Sequence, residues 1–288
     1  MQKVLITGAT GQVGKEVITC LDRNGLEVIP AVRNVENAKE LFDLNCRHFD
    51  FDDEETLDTA FPEIDILFLL RPPHISEVDK YFYPLLKKAE HYGIDKVVFL
   101  SVQGADKSKV TPHNRIERLI KELGFEYIFI RPGYFMQNLT TSLLPEIKSD
   151  KSITLPAGDA VFNWIDVSNI GEVAAKFIEN FDAEKGSAYD ITGDENLNFK
   201  DVSLILSNEL GERVDYKNVN PIRFFFKKKK EGLPTGFALV MTMLHFLPRF
   251  QAPPEISHHY ERMTGKKPKR LVEFIRREKE VFRKQSVE

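Results

Sequence analysis

A glycine-rich segment follows the first apolar run of the chain and most constrains its fold. Residues 7–14 read Thr-Gly-Ala-Thr-Gly-Gln-Val-Gly, after a strand-like run and before a helix-like one. Glycine has no Cβ, so Gly8 can turn the chain sharply and Gly11 can let backbone N–H groups approach an anion closely. Gly14 lets a helix pack tightly, and the helix N-terminus attracts phosphates. Strand, turn and helix in this order predict a dinucleotide-binding unit.

Apolar runs then alternate with helix-like segments up to about residue 130. The predicted strands are Glu27–Val32, Cys46–Phe49, Ile64–Leu70, Lys96–Leu100 and Phe125–Ile130. The predicted helices are Val35–Leu44, Glu54–Phe61, Ser76–Tyr92 and Thr111–Leu123. Continuous apolar runs suit strands that helices cover on both faces, which is typical of a parallel doubly wound sheet. Pro30 lies inside the second strand, and its missing N–H predicts a bulge or an irregular pairing there.

Beyond residue 131 the strict alternation ends, and helices predominate from Phe199 onward. A short strand, a helix and another strand are predicted at residues 163–167, 168–180 and 188–191. The predicted fold class is therefore α/β: a doubly wound, mostly parallel Rossmann sheet with a smaller, mainly helical C-terminal substrate domain. The predicted domain ranges are 1–149 and 161–194 for nucleotide binding, and 150–160 and 195–288 for the smaller domain.

Composition excludes several broad classes of protein. Hydrophobic residues make up 42% and charged residues 29% of the 288 residues, which suits a globular chain and argues against disorder. A net charge of −4 gives no general attraction to nucleic acid. No apolar run is long enough for a membrane span. With two cysteines and no leader-like N-terminus, a cytoplasmic location is expected.

The residue that ends the second strand of a dinucleotide-binding fold selects between cofactors. Here the strand ends Ala-Val-Arg-Asn, with Arg33 and no acidic residue at that place. A guanidinium pairs bidentately with a phosphate, so Arg33 predicts NADP rather than NAD. The alternative interpretation is a solvated arginine that follows a strand.

Further segments carry a family resemblance over nearly the whole chain. They are Phe99–Ser101, Ile130–Asn138, Trp164–Val167, Ile191–Gly193 and Met263–Pro268. With the glycine-rich segment, they resemble the NmrA-like family of atypical short-chain dehydrogenase/reductases. Within it the chain is most similar to NADPH-dependent quinone reductases and ergot alkaloid reductases. Redox-sensing regulators that bind the dinucleotide without turning it over belong to the same group, so the resemblance implies NADP(H) more firmly than a reaction.

The resemblance also implies a map of cofactor contacts. Phosphate contacts would be Gly8, Thr10, Gly11, Gln12 and Val13, with Arg33 at the 2′-phosphate. Adenine contacts would be Asp50 and Phe51. The strand ends lining the dinucleotide would be Leu69, Leu70, Arg71, Ser101, Val102 and Gln103. The residues facing the nicotinamide would be Pro132, Gly133, Tyr134 and Phe135.

Ordinary members of the superfamily use a Tyr-x-x-x-Lys pair on the helix after the fifth strand to donate a proton. Two such strings, Tyr83 with Lys87 and Tyr92 with Lys96, lie before that helix and are interpreted as coincidence. At the expected positions stand Lys109 and His113. The usual proton donor is therefore missing.

His113 is the candidate catalytic residue, because an imidazole titrates near neutrality and could protonate a substrate oxygen. It could instead hydrogen-bond the nicotinamide ribose of the cofactor, or serve a purely structural role. Glu117, one turn later, is expected to cap or pair. No metal site is predicted, because adjacent histidines such as His258 and His259 point in different directions.

Two further features admit two interpretations each. The aromatic residues Tyr134, Phe135, Phe162 and Trp164 could form a platform for a flat acceptor, or pack in the core. The basic block Lys227–Lys230 follows three phenylalanines and is either a solvated helix end or a contact with a membrane surface or nucleic acid.

The leading hypothesis is an NADPH-dependent oxidoreductase that transfers hydride to a small quinone or conjugated carbonyl. A conjugated acceptor spreads the developing charge, so a site without the tyrosine is compatible with this chemistry. The alternative is a non-catalytic NADP(H)-sensing regulatory protein. The expected partner is a small-molecule substrate, and a homodimer or a regulatory protein partner is left open.

Overall fold

A computed structural model describes residues 1–21, 25–108 and 111–283. Its strands are β1 (Gln2–Ile6), β2 (Leu26–Val32), β3 (Arg47–His48), β4 (Ile66–Leu70), β5 (Lys96–Leu100), β6 (Glu126–Pro132), β7 (Tyr134–Phe135), β8 (Ser152–Leu155), β9 (Val161–Ile165), β10 (Ser187–Ile191), β11 (Asn196–Asn198) and β12 (Asp215–Asn218). Its first helices are α1 (Gln12–Cys20), α2 (Val35–Lys39), α3 (Glu55–Ala60), α4 (Val78–His91), α5 (Pro112–Glu122), α6 (Leu144–Asp150) and α7 (Val167–Glu179). The later ones are α8 (Phe181–Glu184), α9 (Phe199–Leu210), α10 (Pro221–Lys230), α11 (Thr235–Phe246), α12 (His259–Thr264), α13 (Leu271–Arg277) and α14 (Lys279–Arg283). Short 3-10 helices cover Ala105–Lys107, Met136–Thr140 and Leu247–Phe250.

The described residues form two compact units. The first contains Met1–Pro132, Val167–Ile191 and His259–Lys266. The second contains Gly133–Asp166, Thr192–His258 and the described residues from Lys267 onward. These units differ from the predicted domain ranges at residues 133–149, 161–166 and 192–194, which belong to the second unit, and at residues 259–266, which belong to the first. β7 and β9 pair with each other and not with the main sheet, and Tyr260 of α12 accepts a hydrogen bond from Asn169 of α7.

A seven-stranded parallel sheet forms the centre of the first unit, with strand order β10-β6-β5-β4-β1-β2-β3. Its central strands are fully buried: Ile66, Leu67, Phe68 and Leu69 of β4 have no exposed surface. Helices α3, α4 and α5 contribute to the core on one face of the sheet, where Phe82 and Ile116 are also fully buried. The predicted doubly wound α/β fold is therefore confirmed.

The strand order places the glycine-rich turn where the direction of winding reverses. β1 pairs with β2 on one side and with β4 on the other. Thr7 joins the ends of two strands, because its Oγ1 donates to the Phe68 carbonyl at 3.1 Å and accepts from Leu70 N–H at 2.8 Å. Ligands of open parallel sheets bind outside the carboxyl ends of the strands at such a reversal.

Local predictions held at α5 and failed at β2 and α2. Thr111 caps α5 by accepting from Asn114 N–H, and Gly124 follows the helix with a φ of 82°. The predicted bulge or irregular pairing at Pro30 is wrong: the register with β1 runs regularly through Pro30, and β3 pairs with the two residues after it. The second helix ends at Lys39 rather than Leu44, and Leu41 beyond it is exposed.

The second unit combines two small sheets with helices around its own core. One sheet has the order β11-β9-β7, and the other pairs β12 with β8. Trp164, Phe199 and Phe274 are fully buried in this core. Across the described ranges, no helix has the length and apolarity that crossing a membrane requires.

Candidate functional site

The turn between β1 and α1 exposes the start of a helix. Gly8 has a φ of 62°, a conformation that favours glycine, and accepts a hydrogen bond from Gly11 N–H at 2.9 Å. Gly11 is the N-cap of α1, and no side chain caps the helix there. Thr10, Gly11 and Gln12 are exposed. The N–H groups of the first helical turn lack partners within the helix, so this turn can receive a phosphate.

Gly14 fixes how closely the helix approaches the turn. A Cβ at Gly14 would lie 2.3 Å from the carbonyl oxygen of Gly8 and 2.8 Å from Cα of Ala9, both backbone atoms. A Cβ at Gly8 would lie 3.2 Å from the Leu70 side chain. The predicted contacts Gly8 and Leu70 are therefore neighbours, and the turn has no room for side chains at Gly14.

The two residues predicted at the adenine, Asp50 and Phe51, are less exposed than Arg33, which is predicted at the 2′-phosphate. Arg33, directly after β2, is exposed and can receive an anion from solvent. Asp50 is half-buried, and its carboxylate accepts from Asp52 N–H at 3.1 Å. Phe51 packs edge-on against Phe49, with ring centroids 5.0 Å apart, and so belongs partly to the core.

His113 and Arg71, predicted from separate segments, lie in contact. Arg71 Nε donates to His113 Nε2 at 3.3 Å, while its Nη1 donates to the backbone carbonyls of Pro72, Pro73 and Ile75. Burial, together with the Arg71 charge, lowers the pKa of His113 to about 3. His113 is therefore a neutral imidazole at pH 7, with Nε2 as acceptor and the proton on Nδ1. Lys109, predicted nearby, lies outside the described residues.

A buried ion pair joins α5 to the ends of β5 and β6. Glu117 on α5 is 3% exposed and accepts two hydrogen bonds from the Arg131 guanidinium, at 2.9 and 2.6 Å. Ser101 Oγ donates to the same carboxylate at 2.6 Å. Burial opposes the charge of Arg131, but the bonds and charge of Glu117 raise its pKa above the ordinary value. The Ser101 hydroxyl therefore donates its hydrogen bond to Glu117. Of these three residues, only Ser101 was predicted as a site residue.

The remaining predicted contacts of the first unit differ in how far they are buried. Gln103 N–H donates to the Pro132 carbonyl at 2.9 Å, which joins two predicted contacts. Val102 and Gln103 are half-buried, whereas Leu69 is fully buried and presents only its backbone to any ligand. Val13 is also buried, at 4% exposure.

In the second unit, Tyr134 forms a hydrogen bond that the sequence did not predict. Its hydroxyl lies 2.9 Å from His245 Nε2, and His245 Nδ1 lies 2.7 Å from the Met241 carbonyl oxygen. Because a carbonyl only accepts, the proton is on Nδ1, and the tyrosine donates to Nε2. Burial lowers the pKa of His245 to about 4 and raises that of Tyr134.

Aromatic rings enclose this pair. The Tyr134 ring lies 4.8 Å from Trp164 and 5.2 Å from Phe162, both buried. Gly133, directly before Tyr134, packs closely against the backbone of β9, since a Cβ there would lie 2.7 Å from the Asn163 carbonyl oxygen. Phe135 is half-buried. Of the predicted aromatic platform, three members form one packed cluster in the core of this unit.

Comparison with known proteins places this arrangement in a family. The model of the NmrA-like family matches residues 1–275. The chain belongs to the NmrA-like family. The resemblance of its motifs to that family is thereby confirmed.

Several curated relatives of this NmrA-like chain align over most of its length. It is 26% identical to quinone oxidoreductase 2 of Escherichia coli, over 82% of this chain and 84% of the relative. It is also 26% identical to an NAD(P)H azoreductase of Xenophilus azovorans, over 95% and 96% of the two chains. The ergot alkaloid enzyme festuclavine synthase I of Penicillium roqueforti is 23% identical over 96% of this chain and 98% of the relative.

Solved structures of the same family share the fold. The NADPH-dependent quinone oxidoreductase of Escherichia coli, solved with NADPH, superposes with a TM-score of 0.84 at 23% identity, covering 94% of this chain and 98% of that one. The negative transcriptional regulator NmrA, solved with NADP, superposes with a TM-score of 0.71 at 15% identity, covering 96% and 94%. A shared fold at such identities does not transfer a reaction.

Proposed function

We propose that this NmrA-like protein binds NADP(H) and uses NADPH to reduce a small quinone or another conjugated acceptor. The observation that carries the proposal is the start of α1, which is exposed and has no side-chain cap. It follows Gly8, whose φ is positive, and the space at this turn depends on Gly14 having no side chain. The exposed Arg33 after β2 supports a 2′-phosphate. The names of two relatives, a quinone oxidoreductase and an azoreductase, support a conjugated acceptor.

The chain's own groups would bind and orient rather than exchange protons. When bound, NADPH supplies a hydride from its nicotinamide. His113 has a pKa of about 3 and is neutral near pH 7. A neutral imidazole can donate a hydrogen bond through Nδ1, and this role suits His113 better than that of a general acid. The negative charge left on a conjugated acceptor is delocalised, so its proton can come from solvent. The assignments of Gly133, Tyr134 and Phe135 to the cofactor stay predictions.

A panel of acceptors tests the proposed reaction. We expect the purified protein to oxidise NADPH rapidly with simple quinones and azo compounds and more slowly with isolated ketones. The loss of NADPH absorbance measures the rate. The NADPH affinity is measured in parallel by titration of its fluorescence. Tight binding of NADPH with no turnover of any acceptor would contradict the reductase and support the NADP(H)-sensing regulator, for which the relative NmrA is the precedent.

The Arg33→Ala variant tests the cofactor preference. Loss of a charge-assisted contact with the 2′-phosphate should weaken NADPH binding about tenfold to a hundredfold and leave NADH binding unchanged. Arg213→Ala is the matched control, since Arg213 is an exposed arginine far along the chain. An unchanged ratio of NADPH to NADH affinity in Arg33→Ala would show that Arg33 is only a solvated side chain.

A further inference from the structure

One segment of the second unit has a charge opposite to that of the chain as a whole. Residues 219–254 carry six basic side chains and a single acidic one, Glu231, so their net charge is +5. The whole chain has a net charge of −4, and the remaining residues therefore carry −9. Between Glu231 and Arg249 no Asp, Glu, Lys or Arg occurs. The cofactor turn lies outside this segment. Within it the buried His245 bonds Tyr134, a predicted nicotinamide contact, whereas the exposed side chains have no part in the proposed reduction.

Helix α11 presents an apolar face to solvent in the middle of this segment. Its buried side is formed by Ala238, Met241, Thr242 and His245, which follow a helical spacing. The opposite side is apolar as well, and its side chains are 41–49% exposed: Leu239, Val240, Met243, Leu244 and, just beyond the helix, Leu247. Phe250 in the following 3-10 helix is 72% exposed. A helix that needs only one face for its core ordinarily has a polar opposite face.

Helix α10 packs against α11 and adds basic side chains beside exposed apolar ones. Its inner side is held by the buried Phe224, over whose ring Lys228 lies. Ile222 and Phe226 are 65% and 63% exposed. Lys230 follows them at the same helical spacing, and Arg223 and Lys227 are exposed neighbours. We call the exposed side chains of both helices, together with Leu247 and Phe250, the α10–α11 surface.

We propose that the α10–α11 surface binds the face of an anionic lipid bilayer. Leucine, methionine and phenylalanine side chains would enter the boundary between headgroups and acyl chains, while Arg223 and Lys230 contact lipid phosphates. Lys227 and Lys228 already pair with Glu146 and Glu231, at 3.2 and 2.7 Å. The twelve residues of α11 are too few to span a bilayer, so the helix would lie along it. This inference does not rest on the proposed function.

The charge on the surface favours a bilayer over other occupants. A symmetric pair of copies joined through this surface would place two sets of like charges together, which is destabilising. Nucleic acid would match the basic side chains but would gain nothing from the exposed Leu239, Met243 and Leu244. An anionic bilayer complements both the charge and the apolar side chains.

Co-sedimentation of the full-length protein with vesicles tests the inference. We expect it to pellet with phosphatidylcholine vesicles that contain about one third phosphatidylglycerol, to stay in solution with pure phosphatidylcholine, and to be released by salt. The variant Lys230→Glu should lower the partition coefficient on the order of tenfold. Its control Lys267→Glu makes the same charge change at an exposed lysine outside the surface.

A second pair of variants tests the apolar contribution. Leu244→Gln should lower the partition coefficient about fivefold or more, since it removes apolar area from the contact. The control Leu204→Gln changes an exposed leucine on α9, 63% exposed, and should bind vesicles as the wild type does. All four variants should keep the wild-type melting temperature and NADPH affinity, because the altered side chains are on the surface.

Three outcomes would overturn the inference. One is wild-type protein that stays in solution with anionic vesicles at low salt. Another is equal binding by Lys230→Glu, Leu244→Gln and their controls. The third is a concentration-dependent dimer in sedimentation velocity that Leu244→Gln dissociates, without vesicle binding, which would assign the surface to a second copy of the chain.

Discussion

Gly14 shows how much one missing methyl group can decide. A Cβ at this position would meet two backbone groups of the turn that cannot move aside without opening it. We expect Gly14→Ala to weaken NADPH binding more than tenfold and to lower the free energy of unfolding by about 1–3 kcal/mol. The measurements are a fluorescence titration with NADPH and urea denaturation.

Gly236 on α11 supplies the matched control for this prediction. A Cβ there would meet no atom within 4 Å. Gly236→Ala should therefore leave NADPH affinity unchanged and alter stability by no more than about 1 kcal/mol, in the stabilising direction. Equal effects of the two substitutions would contradict the role given to Gly14.

The sequence identified single residues better than it identified their partners. Gly8, Gly14 and the cap Thr111 were predicted with their conformational roles, because those roles depend on the adjacent chain. The bond from Tyr134 to His245 joins residues far apart in sequence, and no local pattern signals it. The only available hint was a histidine in an otherwise uncharged apolar run.

On the scale of an element, α5 carries one buried and one exposed glutamate. Glu117 pairs with the buried Arg131, and Glu122 pairs at the surface with Arg115 and Arg118. Glu117→Gln would remove the bidentate carboxylate from the buried Arg131 and leave it only the Asp106 carboxylate at 3.4 Å, so we expect a loss of about 2–4 kcal/mol in the free energy of unfolding. Glu122→Gln should cost no more than about 1 kcal/mol.

Urea denaturation of both variants measures the difference. Both variants make the same chemical change on α5, one in its interior and one at its last residue. Similar losses for Glu117→Gln and Glu122→Gln would show that the buried pair contributes no more than a surface pair.

Elements were predicted well where their pattern was local. Continuous apolar runs indicated the parallel strands, and the structure confirms them with shifts of a few residues at their ends. The strand predicted at Asn163–Val167 is present, but its predicted place in the nucleotide-binding domain is wrong, because β9 pairs with β7 and β11 in a separate sheet. Which strands become neighbours depends on packing between distant segments, and a local pattern does not carry that information.

For the whole molecule, buried histidines predict a stability that falls in mild acid. Burial holds the pKa of His245 at about 4 and that of His113 at about 3, below the ordinary 6.5. The unfolded chain therefore binds more protons than the folded one below pH 6.5, and stability is lost as the pH falls. His245 alone should contribute about 2 kcal/mol of this loss between pH 7 and pH 5.

Urea denaturation at several pH values checks this prediction. His245→Gln removes the titrating group, so the loss of stability between pH 7 and pH 5 should shrink, whatever the substitution does to stability at pH 7. His91→Gln, at an exposed position of α4, should retain the wild-type dependence on pH. A wild-type stability that stays constant from pH 7 to pH 5 would contradict the buried, neutral state of His245.

Local sequence patterns are enough to predict the parallel α/β sheet, the glycine-rich turn after its first strand and the place of Arg33 after β2. These follow from backbone freedom and apolar periodicity over a few adjacent residues. Folding is needed to bring Arg71 against His113, whose pKa is lowered by burial and by the Arg71 charge. Folding also brings Arg131 and Ser101 to Glu117 and leaves an apolar face of α11 in solvent. Each of these depends on the burial and charge that distant segments create around a side chain.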